Sequence, residues 1–190
     1  MDVRTETNSL NGRAGGQKSL GPDIMSIEQL HKVLKFDEVF QAEFNILSPH
    51  LRKITRNWAA EIPIRILEEE SHQDSVTIRD LNGINLHVKS YVDAMYSGRF
   101  YEGFESPLDG IAIILKNHSI NPGWATVAFS MAFDKAQQQL FFETRQVNAR
   151  VFPAALRCQT KIMVLTIHIL NRRDHELNDV TPQQGAKPPQ

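Results

Sequence analysis

Residues 84–98 of this 190-residue chain read INLHVKSYVDAMYSG, and they decide its fold class. The bulky apolar side chains recur at the 3.6-residue period of an amphipathic helix, at Ile84, Val88, Tyr91, Val92, Met95 and Tyr96. Gly98 then stops the run, as glycine commonly does just after a helix. The stretch therefore predicts a helix with one face in a hydrophobic core.

Helical patterns continue on the N-terminal side of this stretch. Ser26 and Gln29 form a capping-box pattern that predicts a first helix. A second helix is expected near Asp37, with an apolar face made of Val39, Phe40, Phe44 and Leu47. The Ser-Pro pair at 48–49 is typical of a further helix start, and Pro63 is expected to kink or end that helix.

The C-terminal side is also helical in pattern. One helix is expected from Pro107, and two long helices follow at about 122–144 and 148–177, with Pro153 bending the last one early. Residues 162–170, IMVLTIHIL, have a strand-like composition, and periodicity alone leaves a strand open there. Because no turn residues interrupt this apolar stretch, a helix is favoured. The predicted fold class is all-α, with seven or eight helices.

Composition and charge exclude several function classes. The 21 Lys and Arg residues balance 22 Asp and Glu residues, which leaves a net charge of −1 and excludes the basic footprint of a general nucleic-acid binder. The one cysteine, Cys158, excludes an intramolecular disulfide and a Cys-rich zinc site and indicates an intracellular protein. No apolar run approaches the roughly 20 residues of a membrane span. We therefore expect a cytoplasmic protein with no membrane or nucleic-acid partner.

The chain divides into three predicted parts. Residues 1–22 are rich in Gly, Asn, Ser and Thr and start without the apolar segment of a secretory signal, so a disordered N-terminal segment is expected. Residues 23–178 carry the helical pattern and form the predicted globular domain. Residues 179–190 hold the C-terminal prolines and glutamines and are expected to be a disordered tail.

The sequence contains no motif that supports an enzyme. A Gly-rich phosphate loop, a GxSxG elbow and an HExxH pair are all missing. Cys158 lies in an apolar helix and is predicted to be a buried, inert thiol. The acidic residues 68–70 fall in a polar stretch and are predicted to be surface groups rather than paired catalytic carboxylates.

The histidines are the more informative titratable residues. We expect surface positions for His31, His50, His72 and His175, and a hydrogen-bonded core or interface role for His168. His87 shares the face of the apolar stripe in the central helix, and His118 follows an inward stripe in the next one. Two inward imidazoles on neighbouring helices could ligate a haem iron or another metal. The alternative interpretation is two hydrogen-bonded core or pocket-edge histidines without a metal.

Residues 81–135 resemble a known pattern without a gap. Met95-Tyr96-Ser97-Gly98 matches an aromatic-small-Gly helix end, Phe104, Ile111 and Ala112 match the linker and helix that follow, and Ile120-Asn121-Pro122-Gly123-Trp124 with Ala128-Phe129 matches the start of the next helix. This is similar to the globin domain of the globin-coupled sensor (protoglobin-like) family. The resemblance implies a globin-like sensor fold that binds haem b and oxygen, with the last two helices forming a dimeric four-helix bundle.

Specific positions depart from that family. The haem-ligating histidine of the family stands nine residues before the tryptophan, and the residue nine before Trp124 is Leu115. The glycine expected shortly after that histidine is Ser119, and no tyrosine occurs near 62–63, where the family has its distal tyrosine. The distal polar position on the facing helix is occupied by His87. The resemblance and the inward stripes together give Leu115, His87, His118, Trp124 and Tyr91 as the candidate residues of a cofactor pocket, with His87 and His118 as the candidate metal ligands.

Two functional hypotheses follow from these residues. The first is a single-domain, sensor-type globin that acts as a homodimeric regulatory or signalling module towards an unidentified signalling protein. In it the usual haem ligand is lost at Leu115, so the protein is haem-poor or haem-free. The alternative is a haem-binding sensor of O2 or another gas, with atypical ligation through His87 or His118. Neither hypothesis includes an enzymatic activity.

Overall fold

The computed structural model describes residues 25–67, 76–98, 104–147 and 151–179, with the side chains of 144–147 and 177–179 left aside. Within these ranges the regular structure is entirely α-helical, which confirms the all-α prediction. The helices are α1 (Ile27–Val33), α2 (Glu38–Ala59), α3 (Ile62–Leu67), α4 (Ile78–Tyr96), α5 (Ser106–Asn117), α6 (Gly123–Val147) and α7 (Phe152–Asp179). The expectations for residues 1–22, for the acidic residues 68–70, for His72 and for 180–190 lie outside the described residues.

Helix α1 begins at the predicted capping box. The Ser26 side chain accepts a hydrogen bond from the Gln29 backbone, and the Gln29 side chain accepts one from the Ser26 backbone. The surface position predicted for His31 is wrong, because its imidazole is buried at 5% exposure and lies against the ring of Phe36 at 4.8 Å between centroids. Burial lowers the pKa of His31, since desolvation disfavours the charged imidazolium.

Helix α2 is one continuous helix, where the sequence predicts two that meet at residues 48–49. Pro49 lies inside it and costs about 3 kcal/mol relative to a good helix former. The continuous buried stripe on both sides of the proline offsets this cost, through Phe40, Phe44, Leu51, Ile54 and Ala59. Val39 is 70% exposed and does not belong to the apolar face predicted for this helix.

The two central helix boundaries follow the predicted signals. Helix α2 ends at Ala59, and Pro63 stands in the first turn of α3. This agrees with the expectation that the helix ends near Pro63, because proline is tolerated in the first turn of a helix but not in its interior. Helix α4 contains the stretch quoted first, and all six of its predicted apolar residues are buried. Gly98 has φ +77°, so the helix ends on a residue in the left-handed region, which favours glycine.

The two long C-terminal helices pack against each other along their length. Residues 162–170 are helical, so the strand that their composition left open does not form. Pro153 is the second residue of α7, in the first turn, where a proline removes no intrahelical hydrogen bond. None of the helices in the described ranges has the length and apolarity to cross a membrane.

Helix α4 is the element that positions the candidate site. It contacts α2 along one side and α5 along another, while α6 and α7 complete the core around it. The rings of Phe40, Phe44 and Tyr96 stack in sequence between α2 and α4, with centroids 5.4 and 5.9 Å apart. The two sides of α4 therefore carry the residues whose chemistry the sequence singles out.

Candidate functional site

The positions that the family resemblance assigns to a cofactor lie mainly inside the packed core. Leu115 on α5 and Tyr91 on α4 have no exposed surface, and Trp124 is half-buried against the core at the start of α6. The hydroxyl groups of Tyr91 and Thr166 are hydrogen-bonded at 2.7 Å. The ring of Tyr91 lies edge-on to Phe129 at 5.8 Å between centroids. Tyr91 is thus held by α6 and α7 through its own protein partners.

Helices α4 and α5 touch directly along a line that we call the α4–α5 seam, defined by Asp80, Gly83 and His87 on α4 and by Gly110, Ile114 and His118 on the α5 side. A Cβ atom on Gly110 would lie 2.3 Å from Cε1 of His87, a separation that only glycine permits without movement. A Cβ atom on Gly83 would lie 3.1 Å from Cδ1 of Ile114. Each helix therefore has a glycine against which a side chain of the other helix packs.

The third contact closes one end of the α4–α5 seam. Nε2 of His118 lies 3.2 Å from Oδ2 of Asp80. Hydrogen bonds from the side chain and the backbone of Thr77, and the neighbouring His118, lower the pKa of the Asp80 carboxyl. Asp80 also completes a capping box with Thr77 at the start of α4. The seam thus ends at a capped helix terminus.

The structure does not bring His87 and His118 together. His87 is half-buried on α4 against Gly110, while α5 ends at Asn117 and His118 follows it as the C-cap. The inward helical position predicted for His118 therefore differs from the observed one, because the helix stops one residue earlier and the imidazole turns to Asp80. Across the described residues, no group of three or more His, Cys, Asp and Glu side chains could hold a metal ion.

Two buried hydrogen-bond networks join α4 to its neighbours: the Tyr91–Thr166 pair described above, and a second network around Tyr96. Thr55, Tyr96 and Gln159 form a closed cycle: Tyr96 Oη is 2.7 Å from both Thr55 Oγ1 and Gln159 Oε1, and Gln159 Nε2 donates to Thr55 Oγ1 at 3.2 Å. Burial raises the pKa of Tyr96 and of Tyr91 well above the ordinary tyrosine value. Both hydroxyls therefore stay protonated, and that of Tyr96 donates to Oε1 of Gln159.

Ion pairs fix the N-terminal end of α5 to α7. Nη2 of Arg172 lies 2.5 Å from Oε2 of Glu105, and Nε of Arg173 lies 2.6 Å from Oδ1 of Asp109. The four side chains are between 21% and 37% exposed, so they are only partly screened by solvent. Helix α5 is consequently held by α4 on one side and by α7 on another.

The only cysteine of the chain lies away from these contacts. Cys158 is fully buried on α7, as predicted. Burial raises the pKa of its thiol to about 11, which leaves the nucleophilic thiolate nearly unpopulated near pH 7. It is a packing residue.

Sequence reasoning missed the residues that close the α4–α5 seam. Gly83 and Gly110 lie inside helices, where glycine costs roughly 1 kcal/mol relative to alanine. That local cost is the signal that could have drawn attention to them. The polar partners Thr55, Gln159 and Thr166 lacked even this signal, because a buried threonine or glutamine is recognised only when its hydrogen-bond partner is known.

The residues of the seam do not fit a haem group. A haem held between two helices keeps them apart and needs an axial donor such as imidazole or thiolate. Here the two imidazoles of the seam, His87 and His118, lie against Gly110 and Asp80, Leu115 at the position that the resemblance gives to the ligand has an alkyl side chain, and α4 and α5 meet at Gly83 and Gly110. No protein-family model matches the chain, and no curated protein matches it either.

Proposed function

We propose that this chain is a sensor-type globin that works as a haem-free regulatory module in the cytoplasm, passing its signal through protein contacts rather than catalysis. The observation that carries the proposal is the α4–α5 seam. There Ile114 of α5 packs against Gly83 of α4, and His87 of α4 packs against Gly110 of α5. In the globin-coupled sensors that the sequence resembles, this is the space between the distal and proximal helices. Here its volume is taken by protein side chains.

The backbone at Ser119 supports the globin part of the proposal. The family pattern expects a glycine at this position, and Ser119 has φ +58°, in the left-handed region that favours glycine. The turn geometry that the family achieves with glycine is thus consistent with this chain. The helix order, with two long helices at the C-terminal end, agrees with the same pattern.

The filled seam favours a haem-free protein over the alternative of a gas sensor with atypical ligation. His87 has its ring against Gly110, and His118 is engaged with Asp80. Either imidazole would have to leave its neighbour, and the helices would have to separate, before an iron atom could bind between them. That cost adds to the loss of the ligand at Leu115.

A hemin titration followed in the Soret region tests the proposal. We expect no saturable, stoichiometric Soret band for the wild-type protein, and none for Leu115→His, because the new imidazole would enter a filled space. In the variant Leu115→His/Ile114→Ala/His87→Ala the side chains that fill the seam are shortened. We expect this variant to gain haem binding, provided that circular dichroism shows the same helix content.

Two outcomes would contradict this expectation. A sharp Soret band in the wild-type protein that disappears in His87→Ala or in His118→Ala would establish the atypical haem sensor instead. A band in Leu115→His alone would mean that the space between α4 and α5 opens readily and that only the ligand had been lost.

The outer face of α6 and α7 supports a homodimer as part of this function. Hydrogen bonds between Thr126 and Asn171 (3.2 Å) and between Gln137 and Thr160 (3.4 Å) join the two helices near the surface. Between Thr160 and Asn171, α7 carries Met163, Val164 and Ile167, which are only partly buried. We propose that a second copy covers this apolar strip to form a four-helix bundle, from which an unidentified signalling protein receives the signal.

Sedimentation equilibrium tests the dimer. We expect a mass of twice 21.6 kDa for the wild-type protein at micromolar concentration. Ile167→Glu places a charge in the proposed interface and should give a monomer, since an unpaired buried charge opposes association strongly. Ile113→Glu, at a residue that is 54% exposed on α5, is the matched control and should leave the dimer intact. A wild-type monomer, or equal effects of both substitutions, would exclude this interface.

A further inference from the structure

Helices α2 and α4 pack together at Phe44, Thr55 and Tyr96, but a groove lies open at the surface beside this contact. A cavity of about 350 Å³ lies there, which we call the α2–α4 groove, lined by Arg56, Ala59, Ala60, Lys89 and Val92. This volume falls at the lower end of the range found for small-molecule sites, roughly 300–1,000 Å³. The groove is therefore large enough for a compact organic ligand.

Positive charge is in excess around the groove. Arg52 and Arg56 share one carboxylate, that of Asp93, with nitrogen-to-oxygen distances of 2.9 and 2.6 Å. Lys89 precedes Asp93 by one turn of α4 and is exposed, and among the described residues it has no ion-pair partner within 4.0 Å. The lining of the groove contains two cations, Arg56 and Lys89, and no carboxylate, and of the two only Arg56 is paired with Asp93, so the groove attracts an anion.

The floor of the groove is apolar and made of small side chains. Ala59 and Val92 are almost completely buried, at 3% and 1% exposure, so of the three only Ala60, at the end of α2, exposes its methyl group to a ligand. These three residues offer no side-chain hydrogen bond to a ligand. A strongly hydrated ion such as inorganic phosphate would lose water at this floor without receiving a replacement. A ligand with an apolar body gains from the same contact.

We propose that the α2–α4 groove binds a small organic anion, namely a carboxylate with a compact apolar body. The carboxylate pairs with Lys89 at the rim and with the outer edge of Arg56, whose guanidinium has several donors to share between Asp93 and a ligand. The body lies against the exposed methyl group of Ala60. This assignment is independent of whether the chain is a globin or carries haem.

Benzoate is a suitable probe, because it combines a carboxylate with a flat apolar ring. Binding to the full-length protein would be followed by amide chemical-shift changes during titration. We expect saturable shifts for benzoate that map to α2 and α4. Benzamide has the ring without the charge, and acetate and inorganic phosphate have the charge without the ring. We expect each of these to bind at least about tenfold more weakly, because benzamide lacks the charge-assisted hydrogen bonds and acetate and phosphate lack the apolar contact of the ring.

Two substitutions locate the site and one controls for charge. Lys89→Gln should weaken benzoate binding about tenfold, whereas Lys53→Gln, which removes an equal charge from exposed α2 surface outside the groove, should change it less than about twofold. Ala60→Leu fills the groove and should abolish binding while the wild-type helix content is retained. Equal effects of the two lysine variants, shifts that map elsewhere, or no saturable shift at millimolar benzoate would each overturn the proposal. Tighter binding of phosphate than of benzoate would replace the carboxylate with an inorganic anion.

Discussion

The two sides of α4 differ in how completely side chains fill the space next to the neighbouring helix. Towards α5 the helix meets its neighbour at glycines, and a Cβ atom on Gly110 would lie 2.3 Å from the ring of His87. Towards α2 it packs through Tyr96 against Phe44 and Thr55, and beside this contact lies a surface groove of about 350 Å³ lined by Ala59 and Ala60. The difference lies in the side chains next to the small residues. At the seam the ring of His87 packs against Gly110, whereas no protein side chain fills the groove beside Ala59 and Ala60.

This contrast distinguishes a closed interior contact from an accessible groove at the surface. The interior position between α4 and α5 is closed by Ile114 and His87, and α5 is held further by Arg172 and Arg173 of α7. The surface groove between α2 and α4 is bordered by cations. If the protein senses a small molecule, the groove is the more accessible of the two places for it.

The largest effect expected from adding one carbon atom is at the α4–α5 seam. Gly110→Ala should lower the free energy of unfolding by about 1–2 kcal/mol, because overpacking against His87 outweighs the gain of up to about 1 kcal/mol that alanine brings to a helix. In a His87→Ala background the clash is absent, so the same substitution should stabilise the protein by about 0.5–1 kcal/mol. Urea denaturation of the four proteins measures this change of sign.

The groove supplies the control for that experiment. Ala60→Leu adds three carbon atoms where open space exists, so the free energy of unfolding should stay within about 0.5 kcal/mol of wild type. If Gly110→Ala stabilised the wild-type protein, or if its effect were the same with and without His87, the close contact in the seam would be disproved. If Ala60→Leu destabilised the protein strongly, the groove would not be open.

Most of the fold could be predicted from the sequence, since local signals and burial agree along most helices. The stripe from Ile84 to Tyr96 and the capping box at Ser26 specify their helices without help from the rest of the chain. Pro49 was misleading, because a local break signal was overridden by core contacts on both sides of it. The burial of His31 was missed for a similar reason: it depends on Phe36 beyond the end of α1.

Much less of the site could be predicted. Sequence spacing identified the inward face of α4, which depends on one helix alone, whereas the cofactor role considered for Leu115 came from the family resemblance and stays a prediction. The pairing of His87 with Gly110 and the lining of the groove depend on which helices become neighbours and in which register. Hydrophobic periodicity states which face of a helix is buried, but it does not state what that face meets.

The smallest expected effect concerns the end of the α4–α5 seam, at Asp80. Its pKa is lowered from the ordinary value of 3.8 by hydrogen bonds from Thr77 and by His118. A carboxyl whose folded pKa lies below its unfolded value stabilises the protein above the unfolded pKa, and that contribution disappears as the pH falls through the folded pKa. Asp80→Asn should therefore lower the thermal unfolding midpoint slightly at pH 6 and by progressively less below about pH 4. Glu28→Gln, at an exposed acid in the first turn of α1, is the control for a general charge effect. A pH-independent difference between wild type and Asp80→Asn would mean that the contacts with Thr77 and His118 do not favour the ionised carboxylate, and the seam would then be held by its glycine contacts alone.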